Sequence, residues 1–131
     1  MPSRSDIDAV LRILPILEET PTEHWFERMG GGVPEEGVVT LVRILTSEKA
    51  DPLIRVLTDH GFIQDFDWME WGKEANRFED ATQLNAADLQ TCVKLLTTYA
   101  RADRFMDGYL ADKISSGQVA RVLKRLRKLR G

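Results

Sequence analysis

The sequence predicts a mostly α fold: a single compact helical domain spanning residues 1–131, with room for a small β element before residue 46. Three observations carry this. Apolar residues recur three and four apart over most of the chain, the spacing of one helix face. Ser, Asp or Asn with an acid three residues on precedes several of these stretches, and glycine or proline follows them. The length of 131 residues, 43% hydrophobic and 30% charged, is that of one ordinary globular domain able to close a core without staples.

The first helix is expected to start at Ser5 as cap, with Asp8 at the capping-box position and Ile7, Val10, Leu11, Leu14 and Leu17 on one face. Pro15 falls inside that pattern and should kink or end the helix. TPTEHWFERMGGGVPEEG, residues 20–37, reads as a loop, with Trp25 and Phe26 folding back onto the core. VVTLVRIL, residues 38–45, is β-branched and fits either a short strand or a buried helical turn; periodicity does not decide. DPLIRVLTDHG, residues 51–61, is a helix with Asp51 as cap, Pro52 in the first turn and Gly61 as stop.

The next helix is capped by Asp67, with Glu70 completing a capping box and Trp68, Trp71, Ala75 and Phe78 sharing a face. A polar linker, EDATQ, leads to a long helix read as capped by Asn85 with Asp88 three residues on; its stripe is Leu89, Cys92, Val93, Leu96, Tyr99 and Ala100. The last helix begins near Ser116–Gly117 and lines up Val119, Val122, Leu123, Leu126 and Leu129. There is no internal repeat and no low-complexity segment.

Asp103 interrupts this regularity. If the long helix continues, an advance of about 100° per residue puts Asp103 inside the apolar stripe beside Cys92 and Leu96. A buried carboxylate needs a partner: an arginine from another element, backbone N–H groups at a helix start, or the indole of Trp68 or Trp71. Alternatively the helix ends around residue 102, and Asp103 or Asp107 caps a shorter helix through Gly108, Tyr109, Leu110 and Ile114. A structural staple outweighs a functional site at this position, because ion-pair networks imitate active-site perturbation.

Two stretches also carry a resemblance. The pattern GF…FDW..W (Gly61, Phe62, Phe66, Asp67, Trp68, Trp71), followed by LLT…RADRF..G.L (Leu95 to Thr97, Arg101 to Phe105, Gly108, Leu110), resembles a family of small prokaryotic proteins classed as a domain of unknown function. A later G…..L.RL (Gly117, Leu123, Arg125, Leu126) completes the likeness, which covers about residues 61–131 and leaves residues 1–60 as a distinct N-terminal part with a Gly-rich loop at 30–37. The resemblance implies no activity. It implies that Asp67–Trp71 and Arg101–Gly108 form one paired unit, with Asp67, Trp68, Trp71, Asp103 and Gly108 as its structural motif.

Catalytic and metal signatures are sparse. His24, His60 and Cys92 have no metal-ligand spacing, so neither a zinc site nor any other metal is expected, and no cofactor. Cys92 sits among apolar neighbours and reads as a small hydrophobe rather than a nucleophile. The glycines at 30–32 lack the Lys–Ser/Thr of a phosphate loop. Asp103, Asp107 and Asp112 would meet on a continuous helix, but solvated acids outweigh a Mg²⁺ site there. An enzyme, were it one, would centre on Asp103, Asp107, Arg101 and Arg104, with the arginines holding an anion. No run approaches the roughly 20 apolar residues of a membrane span, and the N-terminus has no signal-peptide pattern, so a cytoplasmic protein is expected.

Charge gives the strongest functional hint. The net charge is −3, yet residues 113–131 hold seven bases and no acid, leaving −10 on residues 1–112. Arg121, Lys124, Arg125, Arg127 and Lys128 occupy the side of the last helix opposite its apolar residues. The basic helix can be a solvated face packed against the acidic body, an interface for a protein partner or a second copy, or a nucleic-acid surface; a membrane surface fits least. The expected role is a non-enzymatic protein-interaction or regulatory module acting through charged surfaces. Nucleic-acid binding by residues 121–130 is the alternative.

Overall fold

A computed structural model describes residues 1–29 and 43–131. Its first helix shows how neighbouring caps compete. Ser3, not Ser5, is the cap: its hydroxyl accepts from the Asp6 N–H at 3.2 Å, while Asp6 Oδ2 accepts from the Ser3 N–H at 2.8 Å. This capping box opens α1 (Arg4–Leu11), and Asp8 is left for another partner. Pro15 cannot donate to the carbonyl four residues back, so the helix stops and restarts as α2 (Leu14–Glu19) with the proline in its first turn. Ile7, Val10, Leu14 and Leu17 are buried, as their periodicity requires.

The stretch expected to be loop is partly ordered. A 3-10 turn at Thr22–Trp25 buries Trp25 completely, and β1 (Phe26–Met29) follows. It pairs antiparallel with β2 (Arg43–Thr46), Phe26 opposite Thr46 and Met29 opposite Arg43. Residues 43–45 are therefore strand; the remainder of the 38–45 stretch and the glycines at 30–32 lie outside the described residues. After a 3-10 turn at Glu48–Ala50, α3 (Asp51–Asp59) begins with Asp51 as its first residue rather than its cap, because Ser47 has already turned the chain. Gly61, at φ 78°, ends it as expected.

Asp67 caps α4 (Trp68–Ala75), accepting from the Glu70 N–H at 3.2 Å. Glu70 does not return the bond; it pairs with Lys73 at 3.3 Å instead. The predicted linker, residues 79–83, instead holds the end of a 3-10 turn at Asn76–Glu79 and the start of α5 (Ala81–Asn85), capped by Asp80. Asn85 therefore ends a helix rather than starting one, and Asp88 caps the central α6 (Leu89–Ala102), accepting from the Thr91 N–H at 2.8 Å. The two last helices are α7 (Tyr109–Ser115) and α8 (Gln118–Arg130), each entered through a left-handed glycine, Gly108 and Gly117.

The core lies between α6 and α8. Cys92, Val93, Leu95, Leu96 and Tyr99 face Val119, Val122, Leu123 and Leu126, with α1, α3 and α7 closing around them. Leu129 was expected in this row but is 37% exposed, because α8 has passed the end of the core by then. Gln118 is the one fully buried amide among the described residues, and all its needs are met: Nε2 donates to the Phe78 carbonyl at 2.9 Å and to Tyr99 at 3.2 Å, and Oε1 accepts from Arg121. Thr97 ties α6 to the segment after α3, donating to the Phe62 carbonyl at 2.9 Å and accepting from the Gln64 N–H at 3.1 Å. No helix among the described residues is long and apolar enough to cross a membrane.

Candidate functional site

The long helix ends at Ala102, and Asp103 takes its C-terminal cap position. The chain therefore adopts the alternative in which the helix ends around residue 102, not the one in which it runs on through Asp103. The N–H groups of Phe105 and Met106 both donate to the Ala102 carbonyl, which winds the chain tightly toward Gly108. There the backbone turns left-handed at φ 71°, and a Cβ would stand 3.0 Å from the Ile44 carbonyl oxygen. Only glycine brings α7 this close to the hairpin.

Half-buried Asp103 fastens that corner. Its Oδ1 accepts from the Thr46 hydroxyl at 2.5 Å and from the Leu110 N–H at 3.0 Å. Thr46 in turn accepts from the Ala111 N–H at 3.1 Å. One carboxylate and one hydroxyl thus satisfy two otherwise orphaned donors at the start of α7 and hold β2 against it. The partner is neither an arginine nor a tryptophan. Asp107, the other candidate cap, forms a bidentate pair with Arg43 at 2.8 and 2.9 Å, which lowers the carboxyl's pKa and raises the guanidinium's. Asp103 and Asp107 consequently do not share a continuous helix, and the geometry imagined for a shared Mg²⁺ is not formed. No group of three or more candidate metal ligands is gathered among the described residues.

Asp103 also lines a groove of about 280 Å³ with Ile54, Thr58, Ile63, Ala100, Arg101 and Arg104. The proposed quartet is therefore only partly assembled: Arg101, Arg104 and Asp103 share this groove, while Asp107 turns to Arg43. Thr58 spends its hydroxyl on the Ile54 carbonyl at 2.8 Å. His60 lies elsewhere, its Nδ1 3.0 Å from Asp6 Oδ1, and His24 is exposed. Burial pushes the Cys92 thiol up to about 12, the behaviour of a packed hydrophobe rather than a nucleophile.

Of the two motif stretches, Trp68 meets Phe105, while Asp103 and Gly108 turn to the hairpin at Thr46 and Ile44. Trp71 stands between Phe66 and Phe78, at centroid distances of 6.1 and 6.2 Å, and packs on the core. Trp68 does not; it leans outward onto Phe105, 5.8 Å away, across the gap between α4 and the α6–α7 corner. Its position follows from being the first residue of α4, where the helix has not yet reached the core.

The basic helix is the best-defined charged feature. Lys113 pairs with Glu79, Lys124 with Glu18 at 3.3 Å, and Arg130 with Asp8, so part of the C-terminal charge neutralises the acidic body. Arg125 donates to the Ala87 carbonyl between α5 and α6 at 2.8 Å, and Arg121 is bound to Gln118. Arg127 and Lys128 are exposed and have no hydrogen bond or ion pair among the described residues. Yet all five predicted binding residues, Arg121, Lys124, Arg125, Arg127 and Lys128, line one groove of about 220 Å³ with Ala81, Leu84 and Asn85 of α5. No acid is among the lining residues. The sequence placed the cations on one face; it did not reveal that α5, expected to be a linker, supplies the opposite wall.

The chain belongs to the Family of unknown function (DUF6508), which it matches over residues 2–131. The family therefore extends over the N-terminal part as well, beyond the stretch from residue 61 that carried the resemblance. No curated protein and no solved structure matches the chain.

Proposed function

We propose that the protein is a non-enzymatic interaction module that docks an acidic segment of another protein against the α5–α8 groove. The supporting observation is the lining itself: five cations and no carboxylate around about 220 Å³, on a chain whose net charge is −3. Like charges around a concavity raise the local concentration of carboxylates, Lys124 contributing least because Glu18 already pairs with it, and arginine forks bind carboxylates in pairs. The engaged members of the set favour this use, since Arg121 and Arg125 are held in place by Gln118 and the Ala87 carbonyl, and held cations lose less freedom on binding.

The same features argue for protein over nucleic acid. The groove has side-chain dimensions and no aromatic residue on which a base could stack. Three C-terminal cations are already neutralised, and the acidic body opposes a long polyanion. The test is fluorescence anisotropy with labelled oligoglutamate and with labelled single- and double-stranded oligonucleotides, at low and physiological salt. A variant with Arg121, Lys124, Arg125, Arg127 and Lys128 changed to Gln serves as control. Oligoglutamate binding that weakens with salt and vanishes in the variant supports the proposal. Binding of oligonucleotides alone would replace it with the nucleic-acid reading, and no binding at low salt would retire both.

A further inference from the structure

On a different side of the molecule, Trp68, Met69, Gly72, Lys73 and Asn76 of the α4 region face Thr98, Ala102, Phe105, Met106 and Tyr109 across a groove of about 590 Å³. Its lining is mostly apolar, and its rim projects. Phe105 is 67% exposed, Met69 57% and Met106 49%, three of the seven large hydrophobic side chains left exposed among the described residues. Scattered exposed apolar residues need no explanation; three around one groove do.

Gly72 adds an independent observation. It stands in the middle of α4, where alanine would stabilise a helix better than glycine does. Its backbone is ordinary right-handed helix, and a Cβ there would meet only Thr98 Cγ2, at 4.0 Å. Nothing in the folded chain therefore requires glycine. What its missing side chain does is deepen the floor of the groove, beside the protruding ring of Phe105.

We infer that this face is the contact between two copies of the chain, in which Phe105 of each protomer enters the groove floored by Gly72 of the other. A knob and a hole on one patch satisfy the condition of a two-fold interface, where each surface must fit itself. Charge agrees. A patch facing its own copy tolerates no net charge, and the one charged lining residue, Lys73, is matched by Glu70 on the same helix at 3.3 Å. Thioether side chains suit such a contact because they adapt to the ring that enters. Three exposed side chains make a contact well below the ~800 Å² per partner of a stable complex, so the dimer is weak and concentration-dependent.

Sedimentation of the full chain over about 5 to 500 µM tests this, that being the range in which so small an interface is populated. Beside the unaltered protein run Phe105→Ser, which removes an exposed knob, and Gly72→Ala, which fills the hole. The unaltered chain should move from monomer toward dimer as concentration rises, and both variants should stay monomeric throughout. Gly72→Ala should also melt about 3 °C higher, because its loss of association is not a loss of fold. A chain monomeric at every concentration overturns the inference, as does a dimer that survives either change. A paired variant, Arg127→Gln with Lys128→Gln, must leave the dimer intact; loss of association there would assign it to the basic groove instead.

Discussion

Replacing Asp103 by alanine removes the acceptor of two hydrogen bonds, from the Thr46 hydroxyl and the Leu110 N–H. The Thr46 hydroxyl keeps its bond from the Ala111 N–H and can turn, whereas the N–H of fully buried Leu110 has no other described acceptor. A bond to a charged group contributes about 1.5–3 kcal/mol and a stranded buried donor costs about 1–3 kcal/mol, so a loss of about 2–4 kcal/mol is expected at this half-buried site. For a chain of this length that corresponds to a fall in melting temperature of about 8–15 °C. Thr46→Val attacks the same junction from the other side, and the double variant closes a cycle. Because Asp103 and Thr46 share one network, the double loss should fall short of the sum of the single losses by about 1 kcal/mol or more. The measurement is urea and thermal unfolding of the four proteins followed by circular dichroism. Additive losses, or a melting temperature unmoved by Asp103→Ala, would refute the reasoning that this carboxylate holds β2 to α7.

The other expectations concern single groups. Asp6 is held at about 2 by the Ser3 backbone N–H, then by His60 and the Ser3 hydroxyl; being lowered on folding, it stabilises the fold above the ordinary carboxylate range and loses that effect as pH falls toward 2. Acid unfolding of Asp6→Asn should accordingly be less steep between about pH 4 and 2 than that of the unaltered chain, and identical curves would count against the Ser3–Asp6–His60 arrangement. Cys92, its thiol raised to about 12 by burial, should resist a disulfide reagent at neutral pH until urea opens the protein; prompt stoichiometric labelling of the native state would contradict its placement. Gly108→Ala should cost about 2 kcal/mol in an unfolding titration, since a left-handed residue is strained and the new methyl would press on the Ile44 carbonyl at 3.0 Å; no loss would mean the corner relaxes freely.

What the sequence made legible is what depends on neighbours along the chain. The apolar row of α6 and that of α8 as far as Leu126, the stops at Gly61 and before Gly117, and Asp67 as a cap are local features, and they appear as expected. The errors arise where two local solutions were equally good and a distant residue chose. In SRSD, Ser3 and Ser5 each have an acid three residues on; the chain uses Ser3, which leaves Asp6 facing His60 and Asp8 facing Arg130. In NAAD, Asn85 and Asp88 compete in the same way, and Asn85 is drawn into α5 by the cap at Asp80. Asp103 drew notice from the sequence, yet its partner Thr46 lies 57 residues away on a strand that periodicity left undecided. The charged groove was half visible for the same reason, its cations on one helix and its opposite wall on another.

The contact between the first and last helices bears on how the protein is made. Arg4 donates to the Arg130 carbonyl at 3.1 and 3.2 Å, Asp8 receives Arg130, and α8 places Val119, Val122, Leu123 and Leu126 in the centre of the core. A ribosome releases α1 first and α8 last, so the opening helix spends nearly the whole of this domain's synthesis without the surface it packs on. Helices shorter than about 12–15 residues are marginal alone, and α1, at 8 residues, is well below that length. The surface that α1 packs on is therefore completed only when α8 arrives. A stop codon ahead of Gln118 would yield not a shortened version of the fold but a chain with its apolar rows of α1 and α6 open to solvent, a substrate for chaperones and proteases rather than a smaller working protein.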